Sequence, residues 1–328
     1  MAHLPQQFDE AQSSVEPTAH DKSNAATAHE QVRATLESDS ELARAGVDTV
    51  LIGSYARSVS IRRMKDVDVF SQLPDLPASV SATDALSLFN TALEREFGPT
   101  RVKRRTRTVE VGFPEFDLVV DGVPARPAGA VWEIPDRNEG WVQTSPLELN
   151  KLTSQMNGRV TLGETGVYVP MVKLIRQIRR QHFAKYPAGV YFEILAYWAF
   201  DGGMTATSWA DYLTKSLDTM QDVLRSAIES GLPDPTMPGG VVETKADVSQ
   251  LQETLARLDA RTKDAEDALA DVDECRAAKK WRSLLGSNDD GPVFPMPEHC
   301  DDEGRSKVTA AVTPGFRSVP SGEGKFAW

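Results

Sequence analysis

The spacing of apolar residues changes near residue 145, and this change constrains the fold more than any other feature. Before it, short stretches alternate between apolar and polar residues, which is typical of half-buried strands. After it, apolar residues recur at three- and four-residue steps, as in amphipathic helices. We therefore predict an α+β protein of two lobes, in which a mixed sheet flanked by helices is followed by a C-terminal helical bundle.

The same patterns predict the individual elements. Strands are expected at 47–52, 66–70, 108–111 and 116–120. Helices are expected at 22–38, after a capping box at Ser81–Asp84, and at 146–157, 170–185, 188–200, 207–230 and 243–284. We read the last as a bundle helix, with a dimerising coiled coil as the alternative. The resulting domains are a flexible leader (1–20), an α/β lobe (21–145), a helical lobe (146–286) and a loosely ordered tail (287–328).

Composition restricts the possible partners. The 328 residues include 36 Lys and Arg against 48 Asp and Glu, which gives a net charge of −12. Binding to long nucleic acid needs a basic surface, so we do not expect it. The longest apolar run, 194–200, is too short to span a membrane, and the N-terminus lacks the layout of a secretory signal. A cytoplasmic protein without membrane contact is therefore expected.

The cysteines and histidines indicate little. Cys275 and Cys300 are too few for a disulfide framework, and we expect them to be reduced. The five histidines are scattered, and no pair has the spacing of zinc ligands. The adjacent pair His299-Cys300 could ligate a metal, but the pattern alone gives this little weight.

Two carboxylates lie in one predicted strand. Asp66 and Asp68 are two residues apart, so their side chains share a face, while Val67 and Val69 point into the core. Neighbouring carboxylates repel each other unless a cation lies between them, and oxygen-rich sites suit magnesium. Asp117, in the strand predicted at 116–120, would join them if the two strands pair. Three such carboxylates can hold two magnesium ions for an in-line displacement at phosphorus.

A phosphate site is predicted beside these carboxylates. Gly53 lets the backbone approach a ligand closely, and Ser54 offers a hydroxyl and backbone N–H groups to phosphate oxygens. A plain strand-ending turn with solvated aspartates is the alternative. The ordered series of strand, Gly-Ser turn, Asp-x-Asp strand and single-Asp strand favours the functional interpretation.

Basic and aromatic residues supply further candidates. Lys173, Arg176 and Arg180 line one face of a predicted helix and could neutralise a triphosphate, although a solvated basic face is an equal alternative. A second basic run, 101–107, is read as a solvated loop rather than a ligand site. Tyr191 could stack on a base, but aromatic residues at helical spacing more often belong to a core. Tyr55 and Arg57 are expected to be exposed and near a nucleotide.

The series Gly53-Ser54, Asp66-x-Asp68 and Asp117 resembles the polymerase-beta-like nucleotidyltransferase superfamily. Within it, residues 22–285 are most similar to the bacterial cGAS/DncV-like nucleotidyltransferases, relatives of cyclic GMP-AMP synthase and oligoadenylate synthase. Further support comes from Ile134-Pro135-Asp136, Trp141, Thr144-x-Pro146, Val172-Lys173-Leu174-Ile175-Arg176 and Tyr191-Phe192-Glu193-Ile194-Leu195.

The resemblance implies specific roles. Asp66, Asp68 and Asp117 would ligate two Mg²⁺ ions (Mn²⁺ being a possible substitute), and Asp117 would help to activate the attacking hydroxyl. Gly53 and Ser54 would hold the donor triphosphate, together with Lys173 or Arg176. The family has a serine shortly before the glutamate of the next helix, whereas this chain has Ala188-Gly189 there.

The implied function is the joining of nucleoside triphosphates, with ATP or GTP expected, into a cyclic di- or oligonucleotide with release of pyrophosphate. The resemblance further implies anti-phage (CBASS) signalling, with an effector that senses the product and a possible regulatory partner protein. One alternative is a nucleotidyltransferase that modifies a protein or an RNA end. The other is a non-catalytic nucleotide-binding scaffold, which the clustered aspartates argue against.

Overall fold

The computed structural model describes residues 2–136 and 140–307. Its main sheet has seven strands: β1 (Asp48–Ile52), β2 (Asp66–Gln72), β3 (Val102–Arg104), β4 (Val109–Phe113), β5 (Leu118–Ala128), β6 (Val131–Asp136) and β7 (Gly140–Thr144). The strand order is β1-β2-β5-β4-β3, and β6 and β7 extend the end of β5 as a hairpin. Strands β2 and β5 are parallel, and the other pairs of this sheet are antiparallel. The sheet is mixed, as predicted.

One face of this sheet is covered by two long helices. They are α2 (Ala19–Ser38) and α5 (Ala82–Phe97), and α5 begins at the predicted cap, where Ser81 Oγ accepts a hydrogen bond from the Asp84 N–H. Val67 and Val69 of β2 are fully buried in the core that these helices share with the sheet. Three short helical segments complete this half: α3 (Ser40–Arg44) between α2 and β1, α4 (Gly53–Ala56) between β1 and β2, and a 3₁₀ turn (Pro114–Phe116) between β4 and β5.

The second half of the chain is helical. It contains α6 (Pro146–Arg159), α7 (Tyr168–His182), α8 (Gly189–Asp201), α9 (Trp209–Ser230), α10 (Val248–Ala270) and α11 (Glu274–Leu285), with a small hairpin of β8 (Thr161–Leu162) and β9 (Thr165–Gly166). The hydrophobic core of this part is separate from the sheet core. The predicted lobe boundary falls between β7 and α6. No helix among the described residues is both long enough and apolar enough to cross a membrane.

The N-terminal segment differs from the expected flexible leader. Residues 5–15 form helix α1 (Pro5–Val15), and Phe8 is fully buried. Its ring packs edge-on against Trp281 and Phe294, with ring centroids 5.0 and 5.1 Å away. The weak apolar pattern of this segment concealed a helix that packs against the core of the helical lobe.

The helix predicted over 243–284 is two helices, α10 and α11. The break falls at Asp271-Val272-Asp273, where the Asp273 side chain accepts a hydrogen bond from the Arg276 N–H and caps α11. Leu251, Leu258 and Ala265 of α10 are buried within the chain's own helical core. The bundle-helix interpretation therefore describes α10 correctly.

The segment after α11 is packed, in contrast to the loosely ordered tail expected from residue 287 onward. It contains β10 (Ser287–Asn288) and β11 (Gly291–Pro292), and Val293 and Phe294 are fully buried. Cys275 and Cys300 form a disulfide with a Cα–Cα distance of 5.3 Å, so the expectation of two reduced cysteines is wrong for this structure. The two residues meet because the segment folds back onto α11. The rest of the predicted tail, 308–328, lies outside the described residues.

Candidate active site

Strand β2 presents two carboxylates on one face of the sheet. Val67 and Val69 point into the core, so Asp66 and Asp68 point away from it, as the alternation predicts. Asp66 is exposed, whereas Asp68 is half-buried. Both residues line a cleft of about 550 Å³.

The third carboxylate of this group comes from Asp121. In the parallel pairing of β2 with β5, Asp121 lies directly beside Asp68, and Asp66 lies beside Val119. Paired residues of neighbouring strands point to the same face, so Asp66, Asp68 and Asp121 share it. The Thr108 hydroxyl donates a 2.6 Å hydrogen bond to Asp121 Oδ1 and fixes the orientation of this carboxylate.

Asp117, the predicted third member, lies elsewhere. It ends the 3₁₀ turn before β5 in a left-handed conformation (φ 51°), and its side chain is 82% exposed and paired with Lys65. Positions 117 and 121 are four residue steps apart, which is a distance of about 13 Å in an extended chain. The structure therefore does not bring Asp117 to Asp66 and Asp68, because the strand register puts Asp121 there instead.

Burial and neighbouring negative charges raise the pKa values of Asp68 and Asp121. Burial, followed by the charges of Asp66 and Asp121, raises the pKa of Asp68 to about 7. Burial also raises the pKa of Asp121, and the charges of Glu110 and Asp66 act in the same direction. Each of these carboxylates is thus costly to ionise without a nearby cation. Asp117 behaves oppositely, since its hydrogen bond with Lys65 lowers its pKa.

The turn after β1 lies directly against Asp68. Gly53 has φ +75°, and a Cβ at this position would overlap the Asp68 carboxylate. Glycine is therefore required both by the backbone conformation and by the close approach. The next residue, Ser54, accepts backbone hydrogen bonds from Val59 and Ser60, and its Oγ lies 3.0 Å from Ser60 Oγ. Gly53 and Ser54 both line the cleft, as predicted.

A buried ion cluster joins this turn to the helical lobe. Arg57 donates two hydrogen bonds, of 2.7 and 3.1 Å, to the Glu193 carboxylate on α8. Arg176 on α7 lies 3.7 Å from the same carboxylate. Arg57 was expected to be exposed, but it is buried because this single carboxylate holds it. Burial lowers the pKa of Arg176, although the guanidinium stays charged. Two guanidinium groups therefore share one carboxylate and leave an excess positive charge beside the cleft.

The residues of α7 and α8 that were predicted to contact a nucleotide lie in three different environments. Arg176 lines the cleft. Lys173 instead pairs with Glu16 and lines a second cavity, of about 430 Å³. Tyr191 is 2% exposed and belongs to the helical core, so the core interpretation is the correct one. The expected serine is replaced by Ala188-Gly189, and Gly189 of this pair lies beside the Arg176 guanidinium.

The basic run 101–107 is neither a solvated loop nor an open binding patch. Arg107 lines the cleft and bridges Asp136 of β6 and Glu243 of the helical lobe. Arg101 and Arg105 pair with Glu115 and Glu110. Most of this positive charge is thus neutralised within the protein.

Sequence reasoning missed three residues of the site: Asp121, Glu193 and Arg107. Asp121 has the same strand parity as Asp117 and directly follows two valines, which was the available signal. Glu193 stands within an apolar stretch, where a charged residue needs a buried partner. No comparable signal marks Arg107 within its basic run.

Comparisons with known proteins find relatives of this chain. Residues 1–157 match the family described as the Second Messenger Oligonucleotide or Dinucleotide Synthetase domain. The chain is 25% identical to the cyclic AMP-AMP-AMP synthase of Acinetobacter sp., over 96% of this chain and 94% of that protein. It is also 25% identical to the cyclic AMP-AMP-GMP synthase of Enterobacter hormaechei, over 99% of this chain and 100% of that protein.

The fold has solved counterparts. The structure of Escherichia coli CdnC in complex with HORMA-deltaN matches with a TM-score of 0.68 at 18% identity, over 89% of this chain and 99% of that chain. The agreement covers both the mixed sheet and the helical lobe, so the predicted polymerase-beta-like, two-lobed fold is confirmed. Taken together, the family match over residues 1–157, the two synthases at 25% identity and the shared fold show that this chain is similar to the cGAS/DncV-like nucleotidyltransferases (CD-NTases).

Proposed function

We propose that this enzyme joins nucleoside triphosphates into a cyclic oligonucleotide and releases pyrophosphate. The observation that carries the proposal is the convergence of Asp66, Asp68 and Asp121 on one face of the sheet, beside the Gly53-Ser54 turn. The two related synthases that match nearly the whole chain are both named for products that contain AMP. We therefore propose ATP as one substrate, with GTP as the first candidate for a second.

The carboxylates fit a magnesium site. Burial and neighbouring negative charges outweigh the charges of Arg57 and Arg105 and raise the pKa values of Asp68 and Asp121, and carboxylate oxygens are ligands that Mg²⁺ prefers. We propose that Asp66, Asp68 and Asp121 hold two such ions, with Asp121 taking the role expected of Asp117. When bound, the ions would lower the pKa of the attacking ribose hydroxyl and offset the charge that develops on the pyrophosphate.

The Gly-Ser turn and α7 supply the proposed triphosphate contacts. Gly53 admits the phosphates close to the backbone, and the Ser54 hydroxyl is placed to donate a hydrogen bond to them. The guanidinium of Arg176 on α7, which also lines the cleft, supplies positive charge. Arg57 acts indirectly, because its contacts with Glu193 fix the turn relative to α8.

The proposed reaction is an in-line displacement. A ribose hydroxyl of one nucleotide attacks the α-phosphorus of another, a new P–O bond forms, and the bond to the β-phosphate breaks. The hydroxyl proton leaves toward the carboxylate group, where Asp121, oriented by Thr108, is the proposed acceptor. A second such step within the linear product would close the ring.

The biological setting is also part of the proposal. We propose that the product is a second messenger in anti-phage (CBASS) signalling, sensed by a separate effector protein. The related E. coli CdnC forms a complex with a HORMA protein. By analogy, we propose that a regulatory protein partner controls this enzyme, and a cytoplasmic location stays a prediction.

The test is a product analysis. The purified protein is incubated with Mg²⁺ and mixed nucleoside triphosphates, with Mn²⁺ in a parallel reaction. Products are treated with phosphatase and identified by mass spectrometry. We expect a phosphatase-resistant oligonucleotide that contains AMP, and its loss in an Asp66→Ala/Asp68→Ala variant.

Other outcomes would contradict the proposal. Label transferred only to protein or to an added RNA end would indicate the alternative nucleotidyltransferase. No consumption of nucleotide under either metal, with candidate activators present, would favour a non-catalytic scaffold. Full activity of the double variant would refute the assignment of the site.

A further inference from the structure

We infer that Cys275, His299 and Cys300 form a zinc site, separate from the cleft, that can be filled when the two thiols are reduced. One ligand atom from each of these residues lies within 4.8 Å of the other two. The inference is independent of the proposed nucleotidyltransferase activity.

The fold brings these ligands together from two segments. Cys275 lies in the first turn of α11, just after the capping residue Asp273. His299 and Cys300 lie at the end of the segment that folds back onto α11, where the Cys300 N–H donates to the Pro297 carbonyl. Both cysteines are buried, at 3% and 2% exposure, so packing fixes the positions of the two sulfur atoms.

The chemistry of the three side chains favours zinc. Thiolate and imidazole together are a common zinc ligand set, and three protein ligands leave a fourth position for water. A disulfide needs only the two sulfur atoms, and it does not account for an imidazole placed beside them.

The surroundings supply support and access. The Glu274 carboxylate lies 3.6 Å from His299 Nε2 and can orient the imidazole, as carboxylates do for metal-bound histidines. His299 also lines a surface cavity of about 600 Å³, together with Glu10, Glu274 and Glu298. This cavity gives a cation a path from solvent, and its acidic residues attract positive charge.

The disulfide and the zinc site exclude each other. A reductant must deliver two electrons to break the S–S bond, which with two protons gives two thiols. Both thiols then lose a proton when they bind Zn²⁺. A phosphine reductant supplies the electrons in the test and is itself oxidised to the phosphine oxide, with its oxygen taken from water.

The experiment measures zinc on the full chain. The protein is reduced with a phosphine, incubated with a slight excess of Zn²⁺ and separated from unbound metal, and zinc is then counted by mass spectrometry. We expect about one zinc per reduced chain, little zinc on the unreduced protein, and protection of both cysteines from a thiol reagent.

A matched pair of variants separates this site from a plain disulfide. His299 is 56% exposed, so His299→Ala should fold and still form the disulfide. Loss of an outer partner of a zinc ligand costs roughly tenfold to a hundredfold in affinity, so we expect loss of this direct ligand to weaken zinc binding at least that much in a chelator competition. His20→Ala, which removes an exposed histidine of α2, should leave zinc affinity unchanged. Reduced protein that retains no zinc, or His299→Ala that binds zinc as tightly as the unaltered chain, would overturn the inference.

Discussion

At the scale of single residues, the candidate site depends on whether Asp117, just before β5, or Asp121, within β5, lies beside β2. Asp117 and Asp121 have the same strand parity, so alternation alone assigns both to the face that carries Asp66 and Asp68. Only the pairing register places Asp121 beside Asp68 and leaves Asp117 in the preceding turn. The residue type and the face were predictable, whereas the position along the strand was not.

This difference gives a direct prediction. Asp121→Asn should lower the synthesis rate at least a hundredfold, because it removes a charge from the proposed metal site. Asp117→Asn is the matched control, since its exposed side chain pairs with Lys65 and should tolerate the change within about threefold. Steady-state rates of product formation check both. A severe loss in Asp117→Asn with near-normal Asp121→Asn would restore the original assignment.

Asp68 gives a prediction about pH. Its folded pKa of about 7 is above its usual value, so the folded state binds this proton more tightly than the unfolded state does. The stability that results is present in acid and is lost as the pH rises through about 7. With a chelator present to remove metal ions, the melting temperature of Asp68→Asn should therefore rise relative to that of the unaltered protein as the pH increases from about 5 to about 8.

Thermal melts of both proteins across this pH range measure the effect. Adding Mg²⁺ at about pH 8 should raise the melting temperature of the unaltered protein and have less effect on Asp68→Asn. A difference between the two proteins that does not vary with pH would contradict the raised pKa.

At the scale of elements, local signals located most helices and strands because each depends on its own periodicity and caps. Helix α5 starts at its Ser81 cap, and β1 and β2 lie within a residue or two of their predicted bounds. Contacts between elements that are distant in the sequence could not be predicted from these local patterns. The Arg57–Glu193 pair joins the turn after β1 to α8 across 136 residues of sequence, and no spacing rule reaches that far.

Removing this pair should destabilise the protein. Glu193→Gln leaves the buried Arg57 without its charged partner, which is expected to lower the free energy of unfolding by about 3–5 kcal/mol. Asp222→Asn removes an exposed ion pair with Arg225 on α9, for which we expect a loss of about 0.5 kcal/mol or less. Urea denaturation followed by circular dichroism compares the two, and equal losses would argue against a structural role for Glu193.

At the scale of the whole molecule, the N-terminal helix α1 packs against residues that are far from it in the sequence. Phe8 packs between Trp281 and Phe294, so α1 completes the core of the helical lobe although it precedes the sheet. The two lobes are also bridged across the cleft by Arg107, which contacts both Asp136 and Glu243. The active-site cleft is therefore bounded by parts of the chain that are distant in sequence.

The packing of α1 leads to the last prediction. Phe8→Ala should lower the free energy of unfolding by about 3–5 kcal/mol, because it leaves a cavity against two aromatic rings. Val272→Ala, at a site that is 78% exposed, should change it by no more than about 0.5 kcal/mol. Chemical denaturation checks both values. If Phe8→Ala is as stable as Val272→Ala, the packing of α1 does not stabilise the helical lobe, as would be expected for the flexible leader predicted from the sequence.

The division into a sheet lobe and a helical lobe, the Gly-Ser turn and the Asp-x-Asp strand could all be predicted from the amino-acid sequence. Each of these follows from the chemistry and spacing of residues that are close together in the chain. Three features became visible only in the folded chain. Asp121 rather than Asp117 lies beside Asp68. Arg176 rather than Lys173 reaches the cleft, and α1 joins the helical core. These outcomes depend on strand register and on packing between distant segments, which local periodicity does not encode.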